Sequence, residues 1–369
     1  MKTSEKHVKE PLFHITKRAD ISILKSILIY AVAVVAALVI CALVIISVTK
    51  YNPIEVYKEM IKGNFETKRK FFNLLQDTAM LLCISLAVTP AFKMKFWNLG
   101  AEGQVLVGGL ASAACMFYFK SDIPSWALIL LMLVTSILCG IIWGVLPAVF
   151  KAIWNTNESL FTLMMNYVAI QLISYFIAVW VPTGSQVLGV LNQKTKFGWL
   201  PDLFGQKYLL NIIIVLTLTV IVFIYMRFSK QGYEISVVGE SENTARYVGI
   251  NVKKVIIRTM IISGAICGIA GFLLVSGASH SIHKGLAGGM GFTAIMVAWL
   301  SKFNPGVMVF VSMFLMFLQH GASSIATKFN LDKSVSDILI GIIIFCIIGS
   351  DFFINYKINK RAKAKEVTQ

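Results

Sequence analysis

The chain has 369 residues, 57% hydrophobic and 14% charged, and its mean hydropathy of +0.76 excludes an ordinary soluble domain. The net charge of +16 does not point to nucleic acid, because the basic residues fall between long apolar runs, where they act as topology signals. Composition therefore predicts an all-α, polytopic membrane protein.

Met1 to Lys25 is polar and basic and is expected in the cytosol, so residues 1–26 form an N-terminal segment ahead of a transmembrane domain over 27–356. It does not have the form of a removable signal peptide, since the first apolar run is too long and no small-residue cleavage pattern follows it. Ile27 to Val48 is the first span, supplying the about 20 apolar residues that a spanning helix needs without one charge. Tyr51 to Lys70 is amphipathic and of mixed charge and is placed outside. Phe71 to Phe92 and Val105 to Phe119 are the second and third spans. After a turn at Asp122 to Ser125, the fourth span runs to Phe150 and returns to the cytosolic segment KAIWNTNE, where Asn157 or Thr156 can cap the next helix.

Ser159 to Val181 is the fifth span, and its Asn166 and Gln171 are side chains that lipid cannot pair. Pro182 to Gln206 is a long outer loop, Tyr208 to Phe228 the sixth span, and Ser229 to Lys254 a polar, basic loop. Val255 to Val275, a short Phe292 to Leu300, Val307 to Ile325 and Ser336 to Tyr356 complete about ten spans. With both termini and a basic tail over 357–369 in the cytosol, the larger share of the 34 Lys and Arg lies inside, although Tyr51 to Lys70 runs against that rule. The six cysteines are far apart and have no CxxC spacing, so they are expected as small buried apolar side chains rather than disulfides or metal ligands.

The stretch around which the chain is organised is KFWNLGAEGQVLVGG, Lys95 to Gly109. It reads as a break in a membrane helix, with Asn98, Glu102 and Gln104 offering hydrogen bonds and four glycines allowing close approach. Irregular backbone at membrane depth is tolerated only inside protein or beside a watery cavity, so a solute path is expected here. The alternative is a short cytosolic loop that ends one helix and caps the next. A second glycine-rich stretch, GASHSIHKGLAGGMG, covers Gly277 to Gly291. The segment NLGAEGQVLVGGLASA loosely parallels GGMGFTAIMVAWLS at the start of the eighth span, which would make an inverted repeat with a transport site at its interface. Chance likeness between glycine-rich apolar segments is the competing explanation.

In GESENTARYVGI, Gly239 and Gly249 bracket a short helix that Ser241 can cap and Gly249 can end in the left-handed conformation. One face is expected to present Ala245 and Val248, with Glu240, Glu242 and Arg246 supplying charge. Such a helix is either a docking element for a cytosolic partner or a solvated connector. His280 and His283 have no carboxylate or cysteine cluster beside them, so no metal site is expected. Gln319 and His320, in the ninth span, are candidates for lining a path, or His320 is a satisfied buried imidazole.

Taken together and in order, KFWNLGAEGQ, ESLFTLMMNY, GESENTARYVGI, SGAICGIAG and GMGFTAIMVAWLSKFNP resemble the permease subunits of bacterial ABC importers for nucleosides and simple sugars, with branched-chain amino acid permeases more distant. The resemblance runs from about Phe71 to Phe353. Trp97 stands where that family usually has Phe, and the Gly239 to Gly249 helix lacks the proline common at its start.

The resemblance implies a half-transporter in the bacterial plasma membrane. It would pair with a second permease, a heterodimer rather than a homodimer, and with cytosolic ABC ATPases and an extracellular or periplasmic solute-binding protein. Path residues would be Asn98, Glu102, Gln104, Asn166, Gln319 and His320. Coupling residues would be Gly239, Glu240, Ala245, Arg246 and Gly249. The sequence has no GxxxxGK[ST] loop, so the chain is not expected to be an enzyme or to hold a cofactor, and ATP and Mg2+ belong to the partner ATPase. A nucleoside is the expected solute. A simple sugar such as ribose or galactose is the alternative within the family, and an ion-driven secondary transporter the alternative outside it. The sparsity of ionisable residues in the spans, with Asp77 and Asp337 near span ends, argues against a proton relay.

Overall fold

The computed structural model describes residues 13–18, 22–49, 51–119, 123–181 and 188–360. The first residues of the N-terminal segment, Asp122, the start of the Pro182 loop and the tail beyond 360 lie outside the described residues.

A short strand, β1 (Phe13–Lys17), leads into α1 (Ile23–Thr49), α2 (Pro53–Phe65), α3 (Lys68–Lys93), α4 (Ala101–Phe119), α5 (Ser125–Trp154), α6 (Glu158–Trp180) and α7 (Leu209–Phe228). There follow α8 (Lys230–Glu240), α9 (Glu242–Tyr247), α10 (Val252–Leu274), a π-helical turn (Val275–Ser279), α11 (Met290–Leu300), α12 (Pro305–Lys328), α13 (Lys333–Asn355) and β2 (Tyr356–Lys360). Among the described residues, eight helices are long and apolar enough to cross a membrane. With the 19-residue α4 and the 11-residue α11 the apolar helices number ten, in keeping with the sequence expectation.

Local signals place several of the helix starts. Asn157 Oδ1 accepts from the Leu160 amide at 3.1 Å and Asn251 Oδ1 from the Lys254 amide at 3.1 Å, each satisfying a donor that the helix itself leaves unpaired. In the polar segment after the sixth span the expected short helix capped by Ser241 is present as α9, and a further helix not expected from the sequence, α8, precedes it because Ser229 caps it.

The chain divides into two compact units, residues 65–317 and residues 1–64 with 318–369. In the first, α10 lies at the centre, packed on α5, α4 and α3. Its apolar window is 78% buried and that of α3 72%, against 28% for α5, α6 and α7, so α3 and α10 form the inside and the others the rim. Small residues make this closeness possible, because association between helices in lipid rests on packing rather than on escape from water. A methyl group added at Gly268 of α10 would lie 2.9 Å from the Ile137 Cα of α5, and one at Gly108 of α4 would lie 2.8 Å from the Gly268 Cα.

In the second unit α1 runs with α13, and β1 pairs antiparallel with β2, Lys17 opposite Tyr356. The amphipathic segment expected over Tyr51 to Lys70 contains α2, whose buried Glu59 is ion-paired with Lys328.

Candidate functional site: the start of α4

The helical break proves shorter than the sequence suggests. Irregular backbone is confined to about 94–100, with Lys95 at φ 60°, and Gly103, Gly108 and Gly109 lie in regular helix, where they serve close packing. Met94 closes α3, and α4 starts at Ala101 inside the unit, so its first donors and the carbonyls of the break must be satisfied by protein.

Side chains from distant elements supply those partners. Asn98 is fully buried; its Oδ1 accepts from the Gly100 amide at 3.0 Å and from Gln104 Nε2 at 3.3 Å, while its Nδ2 donates to Ser263 Oγ of α10 at 3.3 Å. Asn166 of α6 acts as a surrogate peptide group. Its Nδ2 donates to the Leu99 carbonyl at 2.8 Å and its Oδ1 accepts from the Gly103 amide at 2.8 Å. Thr162, one turn before it, accepts from the Leu99 amide at 3.1 Å. Asn98, Gln104 and Asn166 are thus brought together, and Gln104 Oε1 alone among their amide oxygens is buried without a partner.

Glu102 points the other way. Its two carboxylate oxygens accept from the Gly289 amide at 2.9 Å and the Gly291 amide at 2.7 Å, at the start of α11. A carboxylate there is favoured by the partial positive charge of a helix N-terminus and caps donors that would otherwise be orphaned. Gly291 allows the approach, since a methyl group on it would lie 2.6 Å from the Glu102 nitrogen. The two stretches paired in the sequence as an inverted repeat therefore each start a short helix, and one carboxylate ties the two starts together. The tie was not visible in sequence, because its partners are 187 and 189 residues apart.

The glycine-rich stretch before α11 opens with the π-turn, after which His280 takes a left-handed backbone at φ 52°. The buried His280 ring stacks on Trp199 with centroids 3.6 Å apart. Burial, helped by Lys207, pushes its pKa down to about 4, so the ring is neutral at ordinary pH. Gln319 and His320 lie in α12 and belong to the other compact unit; Gln319 is exposed and His320 half-buried. Among the described residues no group of three or more His, Cys, Asp and Glu is placed to hold a metal.

The cytosolic-helix candidates separate into two sets. Gly239 lies within α8, buried, where a methyl group would be 3.2 Å from the Lys93 carbonyl carbon and 3.3 Å from the Met94 Cα. Ala245 is also buried, whereas Val248 is exposed, so the two do not share a face as the sequence suggested. Exposed are Glu240, Arg246, which pairs with Glu242 at 3.2 Å, and Gly249 at φ 82°. Sequence reasoning missed Tyr247, 91% exposed at the end of α9, whose signal was an aromatic residue on the outer side of a charged helix. Glu234 of α8 pairs with Arg258 of α10 at 2.8 Å, so α8 is anchored to the central helix as well as to the end of α3.

The helix break is thus polar and satisfied by side chains, with α8 packed against its start and tied to the central helix. Residues 70–348 match the family described as branched-chain amino acid transport system / permease component. The chain belongs to this permease family. Among the relatives of the permease is the guanosine ABC transporter permease protein NupP of Bacillus subtilis, 29% identical over 323 residues that cover 86% of this chain and 92% of NupP. The nucleoside ABC transporter permease protein NupB of Lactococcus lactis subsp. cremoris is 26% identical, covering 86% of this chain and 90% of its own. The glucose ABC transporter permease protein TsgB13 of Haloferax volcanii is 26% identical over 83% of each chain. The permease is therefore a multi-pass membrane subunit of ABC type.

Proposed function

We propose that this permease carries a nucleoside inward across the bacterial plasma membrane, with both termini in the cytosol. The likeness to NupP and NupB across 86% of the chain supports the solute class. The chain works beside a second, unlike permease, cytosolic ATPases that hold ATP and Mg2+, and an extracellular or periplasmic solute-binding protein. It holds no cofactor of its own.

One observation carries the mechanism: α8 touches the chain at Lys93 and Met94, where α3 ends and the break begins. The ATPase docks on the exposed Glu240, Arg246, Tyr247 and Gly249. Nucleotide-driven closure of the ATPases moves α8, and the displacement passes through the Gly239 contact to the break. There Asn98, Gln104 and Asn166 hold one short helix and Glu102 holds the other, so the starts of α4 and α11 shift together and change which side the path faces. Closure shifts the equilibrium only as far as the ATPases bind the two conformations with different affinity. Asn98, Glu102, Gln104 and Asn166 shape the path by fixing these helices.

The test is uptake of labelled guanosine, with ribose as competitor, in cells that make the full set of subunits, with an active or a hydrolysis-dead ATPase. Uptake that disappears with the dead ATPase and resists ribose supports the reading. ATP-dependent uptake blocked by ribose moves the solute to sugars, and uptake that survives the dead ATPase but collapses with the ion gradient overturns the ABC mechanism for this chain.

A further inference from the structure

Between α1 and α13, within the unit of residues 1–64 and 318–369, runs a groove of about 560 Å³. Its walls are Leu28, Val32 and Ala36 on α1 and Phe345, Gly349 and Phe353 on α13. The volume falls inside the range of about 300–1,000 Å³ typical of small-molecule sites. Leu28, Val32, Phe345 and Phe353 are exposed, so the groove opens sideways on two helices that are apolar enough to span a membrane. Gly349 hollows its floor, since a side chain there would meet nothing within 4 Å. Water is a poor filler for such a surface, whereas a hydrocarbon chain is a good one.

One end of the groove is charged. Arg18 lines it, held in place by its backbone amide, which donates to the carbonyl of Asn355, the last residue of α13, at 2.9 Å. Its Nε is buried and has no partner among the described residues. The two-stranded ribbon beside it adds the exposed Lys17 and Lys357. The nearby acid, Asp351, accepts from Tyr30 Oη at 2.8 Å. From Leu28 to Ala36 the groove follows eight residues of helix, about 12 Å at 1.5 Å per residue, close to the ~15 Å hydrocarbon depth of one leaflet. An apolar trough one leaflet deep, with a cation at its mouth, has the dimensions and the charge of a bound anionic lipid.

We infer that this groove binds a phospholipid with an anionic headgroup, its acyl chain along α1 and α13 and its phosphate at Arg18. The positive charge selects the headgroup and the trough supplies the affinity, as basic pockets at the membrane surface do elsewhere.

The test is native mass spectrometry of the full-length chain in detergent, titrated with phosphatidylglycerol or phosphatidylcholine of identical acyl chains. Phosphatidylglycerol should be retained about fivefold over phosphatidylcholine, the ratio that one basic residue at a membrane surface supplies. Arg18→Gln should bring that ratio to about one while leaving the chain binding lipid, and Gly349→Leu, which fills open space, should reduce both lipids alike. Equal retention by the wild-type chain, or an unchanged ratio in Arg18→Gln, overturns the inference. A photoreactive benzophenone side chain at Leu28 in cell membranes should give lipid adducts; adducts to a second permease subunit would mean that protein covers the groove and would equally overturn it.

Discussion

At the crossing of α5 and α10, glycines are where two backbones meet. A methyl group at Gly264 would lie 2.9 Å from the Ile141 Cα, and one at Gly268 2.9 Å from the Ile137 Cα. On α13, Gly341 and Gly349 face nothing within 4 Å. The same residue type thus serves contact in one unit and vacancy in the other. The difference shows that glycine content in an apolar helix does not by itself report packing, and that what lies opposite decides its energetic sign.

The comparison breaks most sharply at Gly268. Gly268→Leu forces a branched side chain into the α5 backbone and should cost about 3 kcal/mol, seen as a loss of folded protein on thermal unfolding in detergent. If Gly268→Leu unfolds like the wild type, the tightness of the α5–α10 crossing is not what holds this unit together. Asn166→Leu asks whether polar ties matter beside the glycines. It strands the Leu99 carbonyl and the Gly103 amide in a buried place, for a cost of about 2 kcal/mol. Hydrogen exchange should quicken at Gly103 and leave α5 unchanged; uniform quickening would mean that the break is not a separate device. Gly341→Ala is the smallest change and has the opposite sign, a gain of about 0.5–1 kcal/mol from the helix propensity of alanine where no neighbour objects. A loss at Gly341 would show that the vacancy is filled in the membrane.

The sequence made the local parts of this architecture readable and left the distant ones hidden. Asn157, Ser241 and Gly249 act over three or four residues, and each does what its type and position predict. Eight of the ten apolar helices were legible because hydrocarbon imposes a length on a span, and the shorter α11 was legible from its apolar run alone. At the break the residue types gave the place but not the roles. Gly103 to Gly109 looked like irregular backbone because closeness to another helix and freedom from helix use the same residue. Ala245 was expected on an outer face because a six-residue helix has too few positions to fix its buried side. The bonds of Glu102 and Asn166 were beyond periodicity altogether, since their partners come from other helices.

The Glu102 tie also sets a timetable for biogenesis. When α4 leaves the ribosome, the amides of Gly289 and Gly291 have not been made, and the chain must lengthen by 187 residues before the first of them exists. At roughly 5–20 residues per second this is a delay of roughly 10–40 s. Throughout it the carboxylate must be satisfied by water or by other donors, so its two oxygens reach their final partners only once about four-fifths of the chain has been translated.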